Sequence, residues 1–564
     1  MLLFQIVVFL FFLTLFSVVM GEYMVKVFNG QKTILSPILN PAEKIIYKFL
    51  GVNPDNETDW KTYLLALILF NVIGILVLFL LQRIQYLLPF NPQKFGAVRW
   101  DTALNTAISF VTNTNWQAYG GESTMSYFTQ MFGLTVQNFL SAATGIAVGV
   151  ALIRGFVKQS INKIGNFWVD MTRSILYLLL PLAIIFSIVL VCNGVIQNFN
   201  PYTKAKTLQG QEQVIAQGPV ASQEAIKILG TNGGGFFNAS SSHPYENPTP
   251  FTDFLEILGF MIIAGGFPFM FGAMIKNRKQ GWVIFASIMI VYLLGLSIAV
   301  YAELHGNPLL AKLGVKNGMN MEGKEVRFGE LASVVFAHST TSTSCGAVNS
   351  MHDSFMPLTG LVLIFNIAIG EVIFGGVGVG FVGLIFYAIL TMFLVGLMIG
   401  RTPELFGKKL EPFEVIMAIT GLVVPSIIQL CFSAIAISTK AGISSLNNLG
   451  PHGLSEIVYA FASGAGNNGS AFAGLNANTP FYNLTLAFSM FVCRFTTIIP
   501  ALAIAGSIIN KKFVPESIRF PTVSVLFVIM LVSVILIVGA LTFFPVLALG
   551  PFLEHISIIA GKVF

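Results

Sequence analysis

Long apolar runs alternate with short polar interruptions along the whole chain. The runs lie at about 2–20, 63–88, 127–153, 171–195, 254–275, 281–302, 354–400, 413–438, 483–508 and 521–548. A membrane helix needs about 20 consecutive, mostly apolar residues, so each run can span a bilayer. The run 354–400 is too long for one span and is interrupted at Gly370 and at Gly375-Gly376-Val377-Gly378-Val379-Gly380. Basic stretches decide how to count it. Lys and Arg gather in cytoplasmic loops, and here they cluster from Arg154 to Lys163, Lys276 to Lys279, Arg401 to Lys409 and Lys511 to Arg519. Starting from an outside N-terminus, two crossings in 354–400 would put Arg401, Lys408 and Lys409 outside, and later Lys511 and Lys512 as well. One interrupted crossing puts all four basic stretches inside. The pattern therefore predicts ten spans with both termini outside.

Four polar stretches recur between the spans. They are Thr112-Asn113-Thr114-Asn115, Thr231-Asn232-Gly233-Gly234-Gly235, Ser342-Thr343-Ser344-Cys345-Gly346 and Ser463-Gly464-Ala465-Gly466-Asn467-Asn468-Gly469, with first residues 119, 111 and 121 positions apart. All four face outward in the predicted topology. Each follows a segment of about 12 residues, at 100–111, 219–230, 327–338 and 451–462. As a helix such a segment is ~18 Å long, about half a bilayer. Each has an acid in its first half (Asp101, Glu224, Glu330, Glu456). That placement suits a helix N-terminus and leaves the partial negative charge of the C-terminus facing the polar loop.

A unit of span, half-helix, polar loop and span thus occurs four times, and such periodicity is an architectural signal. The predicted fold is an all-α integral membrane protein with ten transmembrane helices. Four pseudo-symmetric helix–pore helix–filter–helix units lie at 62–154, 170–277, 280–400 (its second helix broken) and 412–509. One extra helix flanks them at each end, at 1–20 and 518–548.

Composition agrees with this pattern. Of the 564 residues 55% are hydrophobic and 10% charged, against roughly 25% charged in soluble domains. The mean hydropathy is +0.79. The excess of 31 Lys and Arg over 25 Asp and Glu is small, so placement carries more than net charge. No basic residue precedes the first apolar run, so a retained helix is expected there rather than a cleaved signal. Four cysteines are scattered without a CxxC pair, which suggests neither a zinc frame nor a disulfide frame.

The polar loops carry the chemistry. Non-helical backbone at membrane depth is tolerated only where it is buried in protein or lines a watery cavity. Four such loops aimed at one axis would form a ring of carbonyls able to replace an ion's hydration shell. None of the loops contains Asp or Glu, which argues for a monovalent cation. Glycines such as Gly233, Gly346, Gly466 and Gly469 allow backbone angles that turn carbonyls toward an axis. Asn113, Asn115, Asn232 and Asn467 can offer amide oxygens or brace the loops. The four loops are unequal, which permits one tight site rather than a row of equal ones. The plain alternative is a set of ordinary turns, and fourfold recurrence after matched half-helices weighs against it.

Arg494 lies about eleven residues into its run, hence ~17 Å down a helix. An intramembrane arginine is costly and is a functional hypothesis by default. Below the filter it would limit ion flow, pair with Glu371 or brace helices. The Gly-rich break beside Glu371 reads as a gate or as a kinked helix. Gly378-Val379-Gly380-Phe381-Val382-Gly383 spells the dinucleotide fingerprint but lies inside a membrane run, where the required strand is absent. His338, Cys345 and His352 fit no common zinc spacing. No GxxxxGK[ST] motif occurs, so an ATP-driven process would need ATP hydrolysed by another chain.

The stretches TNTNWQAYGGE (112–122), TNGGGFFNASSSHPYENP (231–248), STTSTSCGAVNSMHDSF (339–355) and SGAGNNGSAFAGLNANTPFYN (463–483) resemble the potassium-binding subunit of the Kdp-type potassium-transporting ATPases, over essentially the whole chain. The resemblance implies high-affinity uptake of K+, the transported ion, across the bacterial cytoplasmic (inner) membrane. It implies a P-type ATPase catalytic partner (KdpB-like), a single-span accessory subunit (KdpC-like) and a very small helical subunit (KdpF-like). Membrane lipids surround the assembly, and neither nucleotide nor nucleic acid binds this chain. The resemblance also implies a potassium site drawn from Asn113, Thr114, Thr231, Asn232, Gly233, Ser344, Cys345, Gly346, Gly466, Asn467 and Gly469, with Gln117 tuning affinity. Gating and coupling fall to Gly370, Glu371, Gly376, Arg494 and Arg401, with potassium passing sideways through a tunnel into the ATPase chain. Ser240 stands where Asn is expected.

Two other readings compete. A stand-alone transporter of the Trk/Ktr type would share the four-unit plan and run on membrane potential. An intramembrane metal-dependent enzyme would use His338, Cys345 and His352.

Overall fold

The structure is a computed structural model that describes residues 2–315, 320–370, 372–515 and 519–562. Glu371 lies outside the described residues. Among them, ten helices are long and apolar enough to cross a membrane.

The elements follow the hydropathy pattern. Helix α1 (Leu2–Phe28) leads into α2 (Ser36–Leu50), α3 (Trp60–Ile84) and the short α4 (Trp100–Val111). Next come α5 (Thr129–Val157) and α6 (Phe167–Cys192), each a continuous span with a π-helical turn inside it. A hairpin of β1 (Thr203–Lys206) and β2 (Glu212–Ile215), paired antiparallel, precedes the short α7 (Val220–Leu229). Spans α8 (Pro250–Met274) and α9 (Arg278–Leu304) lead to α10 (Gly329–Ser342). The run 354–400 folds as α11 (Pro357–Ala368) and α12 (Val379–Ile399) on either side of the Gly-rich break. Then follow α13 (Pro412–Ser438), α14 (Gly450–Gly466), α15 (Pro480–Ile508), α16 (Val525–Leu547) and the terminal α17 (Leu553–Ile559).

Local chemistry sets several helix starts. The Asp59 carboxylate accepts the Thr62 N–H at the head of α3, and Thr249 with Thr252 forms a capping box on α8. Such caps satisfy donors that a helix start otherwise leaves unpaired. Spans α5 and α8 are almost wholly enclosed by protein, whereas α1, α3 and α13 are largely exposed and apolar. Exposed apolar sides on the outer helices are what lipid contact requires. Helix α1 lies flat against α8, where a β-carbon at Gly21 would come within 2.7 Å of the Gly266 carbonyl. Small residues allow this close approach where lipid supplies no hydrophobic drive to pack.

Two expectations need correction. The third and fourth half-helices run to Ser342 and Gly466, beyond the predicted 338 and 462. Hydroxyls explain the first extension. Ser342 and Thr343 donate back to the carbonyls of His338 and Ser339, each at 2.8 Å, so a polar stretch that reads as loop stays helical. The amphipathic α2 and the β1–β2 hairpin lie between runs and carry no signal in hydropathy alone.

Candidate functional site

All four short helices α4, α7, α10 and α14 end in the same way. A residue in the left-handed region stands two positions past the end of α4, α7 and α10 and one past the end of α14: Asn113 (φ 62°), Thr231 (φ 48°), Ser344 (φ 55°) and Asn467 (φ 58°). The next residue donates its N–H five residues back: Thr114 to Ser109 (2.9 Å), Asn232 to Lys227 (2.9 Å), Cys345 to Thr340 (3.2 Å) and Asn468 to Ser463 (2.9 Å). This 6→1 bond closing over a left-handed residue is the Schellman ending of a helix, and that position is usually glycine. Here it is Asn, Thr, Ser and Asn. A β-branched residue in the left-handed region is strained, so its side chain must be held. Thr231 Oγ1 accepts the Val377 N–H at 3.1 Å and donates to the Gly230 carbonyl at 2.8 Å.

The four turns contact one another in cyclic order. Between the first and second, Asn113 donates its amide to the Thr231 carbonyl at 3.0 Å and accepts from the Asn232 amide at 2.6 Å. Between the second and third, the Cys345 thiol donates to the Asn232 carbonyl at 3.4 Å, and a β-carbon at Gly233 would be 2.9 Å from Gly346 Cα. Between the third and fourth, the Ser344 hydroxyl donates to the Asn467 carbonyl at 3.0 Å, and Gly346 abuts the Asn468 carbonyl. The circle closes where Asn467 donates to Thr114 Oγ1 at 2.9 Å and Gly469 abuts the Thr114 carbonyl.

The ring separates two spaces. On one side is a recess of about 650 Å³ whose lining includes Gln117, Gly233, Ser240, Gly346 and Gly469. On the other is a small cavity of about 60 Å³ lined by Ser344, Gly370, Gly376, Gly466, Asn467 and Arg494, among others. Gln117 exchanges two hydrogen bonds with Gly235, donating at 3.0 Å and accepting at 3.1 Å. The Gly-rich break packs directly against the ring: a β-carbon at Gly376 would be 3.3 Å from Ser344 Cβ and 3.6 Å from Thr231 Oγ1. Phe374 and Gly375 both donate N–H groups to the Ser342 carbonyl.

The structure does not gather every residue singled out from the sequence. Gly466 is the last residue of α14, although its carbonyl accepts the Ser344 hydroxyl at 3.3 Å. Arg494 is buried and faces α5, 3.3 Å from where a β-carbon on Gly145 would stand. The expected pairing of Arg494 with Glu371 falls outside the described residues. Arg401 lies just past the far end of α12, in a separate surface pocket beside Glu404 and Lys409.

His338, Cys345 and His352 do not converge as metal ligands would. His338 Nε2 meets the Tyr292 carbonyl at 2.9 Å, and His352 Nδ1 meets the Tyr459 hydroxyl at 2.7 Å. Tyr459 continues to Ser470 at 2.7 Å, and Ser470 bonds Asn468. His352 therefore buttresses the fourth turn.

Several supporting residues carry no obvious sequence signal. Ser141 donates to Asn113 Oδ1 at 2.8 Å, and Asn115 donates to Asn138. Behind the second turn, the buried Lys227 ammonium sits 2.7 Å from Glu224 and 2.8 Å from Glu246. Glu246 in turn accepts the Phe237 N–H at 2.8 Å and faces Gly235. The only hint of these roles is the polar character of Asn138, Ser141 and Lys227 within segments expected to lie in the membrane.

Comparisons with known proteins agree over most of the chain. A family model described as potassium-transporting ATPase A subunit matches residues 7–556. The chain is 52% identical over 561 residues to the potassium-transporting ATPase potassium-binding subunit of Bradyrhizobium diazoefficiens, covering 99% of each. It is 53% identical over 561 residues to the protein of that description from Mesorhizobium japonicum, again covering 99% of each. Among solved structures it is similar in fold to the potassium transporter TrkH from Vibrio parahaemolyticus. That match has a TM-score of 0.53 at 15% identity, covering 88% of this chain and 96% of TrkH.

Proposed function

The chain belongs to the potassium-transporting ATPase A subunit family, and from that premise we propose how its residues capture and pass the ion. It is the potassium-binding subunit of an ATP-driven potassium transporter, an all-α membrane protein whose ATPase activity resides in a partner.

K+ enters the outer recess, sheds water and is held at the ring by Asn113, Thr114, Thr231, Asn232, Gly233, Ser344, Cys345, Gly346, Gly466, Asn467 and Gly469. Backbone and side-chain oxygens replace its hydration shell. The C-terminal ends of four helices add partial negative charge without a carboxylate, which suits a monovalent ion. The closed cycle of four left-handed turns carries this reading, because it turns four loops distant in sequence into one aperture.

Gln117 tunes affinity by setting Gly235 against the first loop. Gly370 and Gly376, below the ring, form the gate, and Glu371 shares that gating role. The fixed charge of Arg494 opposes simple leakage and turns the ion sideways toward the ATPase chain. Arg401, on the opposite face, belongs to coupling. The assembly comprises a P-type catalytic chain, a single-span accessory subunit and a small helical subunit in a bacterial inner membrane. Both termini of this chain lie outside, and it binds no nucleotide.

The test is ATP hydrolysis by the purified complex. Hydrolysis is expected to rise with micromolar K+, and the response to weaken on Gly233 substitution. Hydrolysis indifferent to both would overturn the proposal. If this chain alone rescued low-K+ growth of an uptake-deficient cell, a stand-alone transporter would replace it.

A further inference from the structure

Away from the ring, Asp353, His452 and Glu456 each bring one ligand atom within 4.8 Å of the others. Asp353 sits in the short turn after the third loop, while His452 and Glu456 are four residues apart at the start of α14. Residues at that spacing share a helix face.

The surroundings are built rather than incidental. His452 Nε2 meets Asp353 Oδ1 at 2.9 Å, and its opposite nitrogen, Nδ1, meets Glu554 of α17 at 2.8 Å. A metal-bound histidine characteristically carries a carboxylate on its other ring nitrogen, which fixes the tautomer and the ring orientation. Glu456 is steadied by the Asn448 amide on Oε1 at 2.8 Å. Its Oε2 is buried with no hydrogen-bond partner among the described residues. A buried carboxylate oxygen without a donor is costly unless a cation meets it. Gly474 completes the cradle: a β-carbon there would strike Glu456 Oε1 and come within 2.7 Å of Asp353 Oδ1. Glycine therefore leaves open the space between the two carboxylates.

We propose that Asp353, His452 and Glu456 bind a first-row divalent transition-metal ion of the Zn2+ type, with Glu554 orienting His452. One nitrogen and two carboxylate ligands, with water in the remaining position, suit Zn2+. Mg2+ and Ca2+ prefer all-oxygen sets. On binding, the proton between His452 and Asp353 leaves to solvent, and His452 Nε2 takes the metal. The ion would clasp the turn that carries Asp353 to α14, and α17 would join them through Glu554. The Asp353 N–H already donates to the Phe472 carbonyl at 2.7 Å, so the third and fourth loops, α14 and α17 would move as one body.

The experiment is a calorimetric titration of the purified, chelator-stripped complete complex with ZnCl2, without nucleotide and with Mg2+ in millimolar excess. One Zn2+ site is expected in the wild type. It should be weakened at least tenfold by His452→Gln and by Glu456→Gln, and be unchanged by His555→Gln. Glu554→Gln, which leaves all three ligands in place, should weaken it by about 10–100-fold and serves if the ligand variants do not assemble. A wild type that takes up no Zn2+, or variants that titrate like the wild type, would overturn the proposal.

Discussion

Gly469 abuts the carbonyl of Thr114 where the fourth turn meets the first, so closely that a β-carbon at 469 would overlap that oxygen. With φ at 94°, the residue is also in a conformation that side chains rarely adopt. Gly469→Ala must therefore push two turns of the ring apart. The K+ concentration for half-maximal ATPase activity is expected to rise at least tenfold. Gly464→Ala, inside α14 and 3.2 Å from Leu486 by the same construction, should shift it far less.

The two reciprocal hydrogen bonds of Gln117 with Gly235 are worth about 1 kcal/mol each. Gln117→Ala removes both without touching the ring. Apparent K+ affinity is expected to fall by about tenfold while the maximal ATPase rate stays within about twofold, on the scale of those bond energies. A K+ titration of the purified complex reads both quantities.

Arg494 presents a fixed positive charge at the inner cavity, where a K+ ion would feel it at low dielectric. Arg494→Gln preserves hydrogen-bonding capacity and removes the charge. The expected result is passive K+ flux through complex reconstituted in liposomes, measurable without ATP, which the wild type does not show.

The ammonium of Lys408 donates to the carbonyls of Lys158 at 2.8 Å and Lys511 at 2.6 Å, on the face that carries the basic loops. Burial first, and the nearby Lys511 charge second, push its pKa down to about 8. Between that value and the ordinary 10.4 of a free lysine, the unfolded chain binds the proton and the folded one does not. Stability therefore gains from this group as pH rises through that window. Lys408→Met should remove the gain, seen as a flatter dependence of the melting midpoint on pH between about 8 and 10.4.

The plan of spans is legible in the sequence. Apolar runs and basic loops carry their energies locally, through the transfer of each helix into lipid and the placement of each charge near the membrane surface. That is why the broken crossing at 354–400 folds as α11 and α12 around its glycines, and why α4 occupies Trp100–Val111. The ends of α10 and α14 were less legible. Runs of Ser, Thr and Gly look like loop, yet hydroxyls bonding back into the helix and a left-handed terminal residue carry the helix further.

By itself, the sequence determined ten apolar crossings and four acid-free polar turns, because hydropathy and turn propensity act over a few neighbouring residues. Only the tertiary structure decided that Asn113 would bond Thr231, that Asn467 would bond Thr114, and that His352 would brace Asn468 through Tyr459 and Ser470 rather than join His338. The partners in these contacts come from segments that lie up to several hundred residues apart. Their geometry exists only once all four units have packed around a common axis.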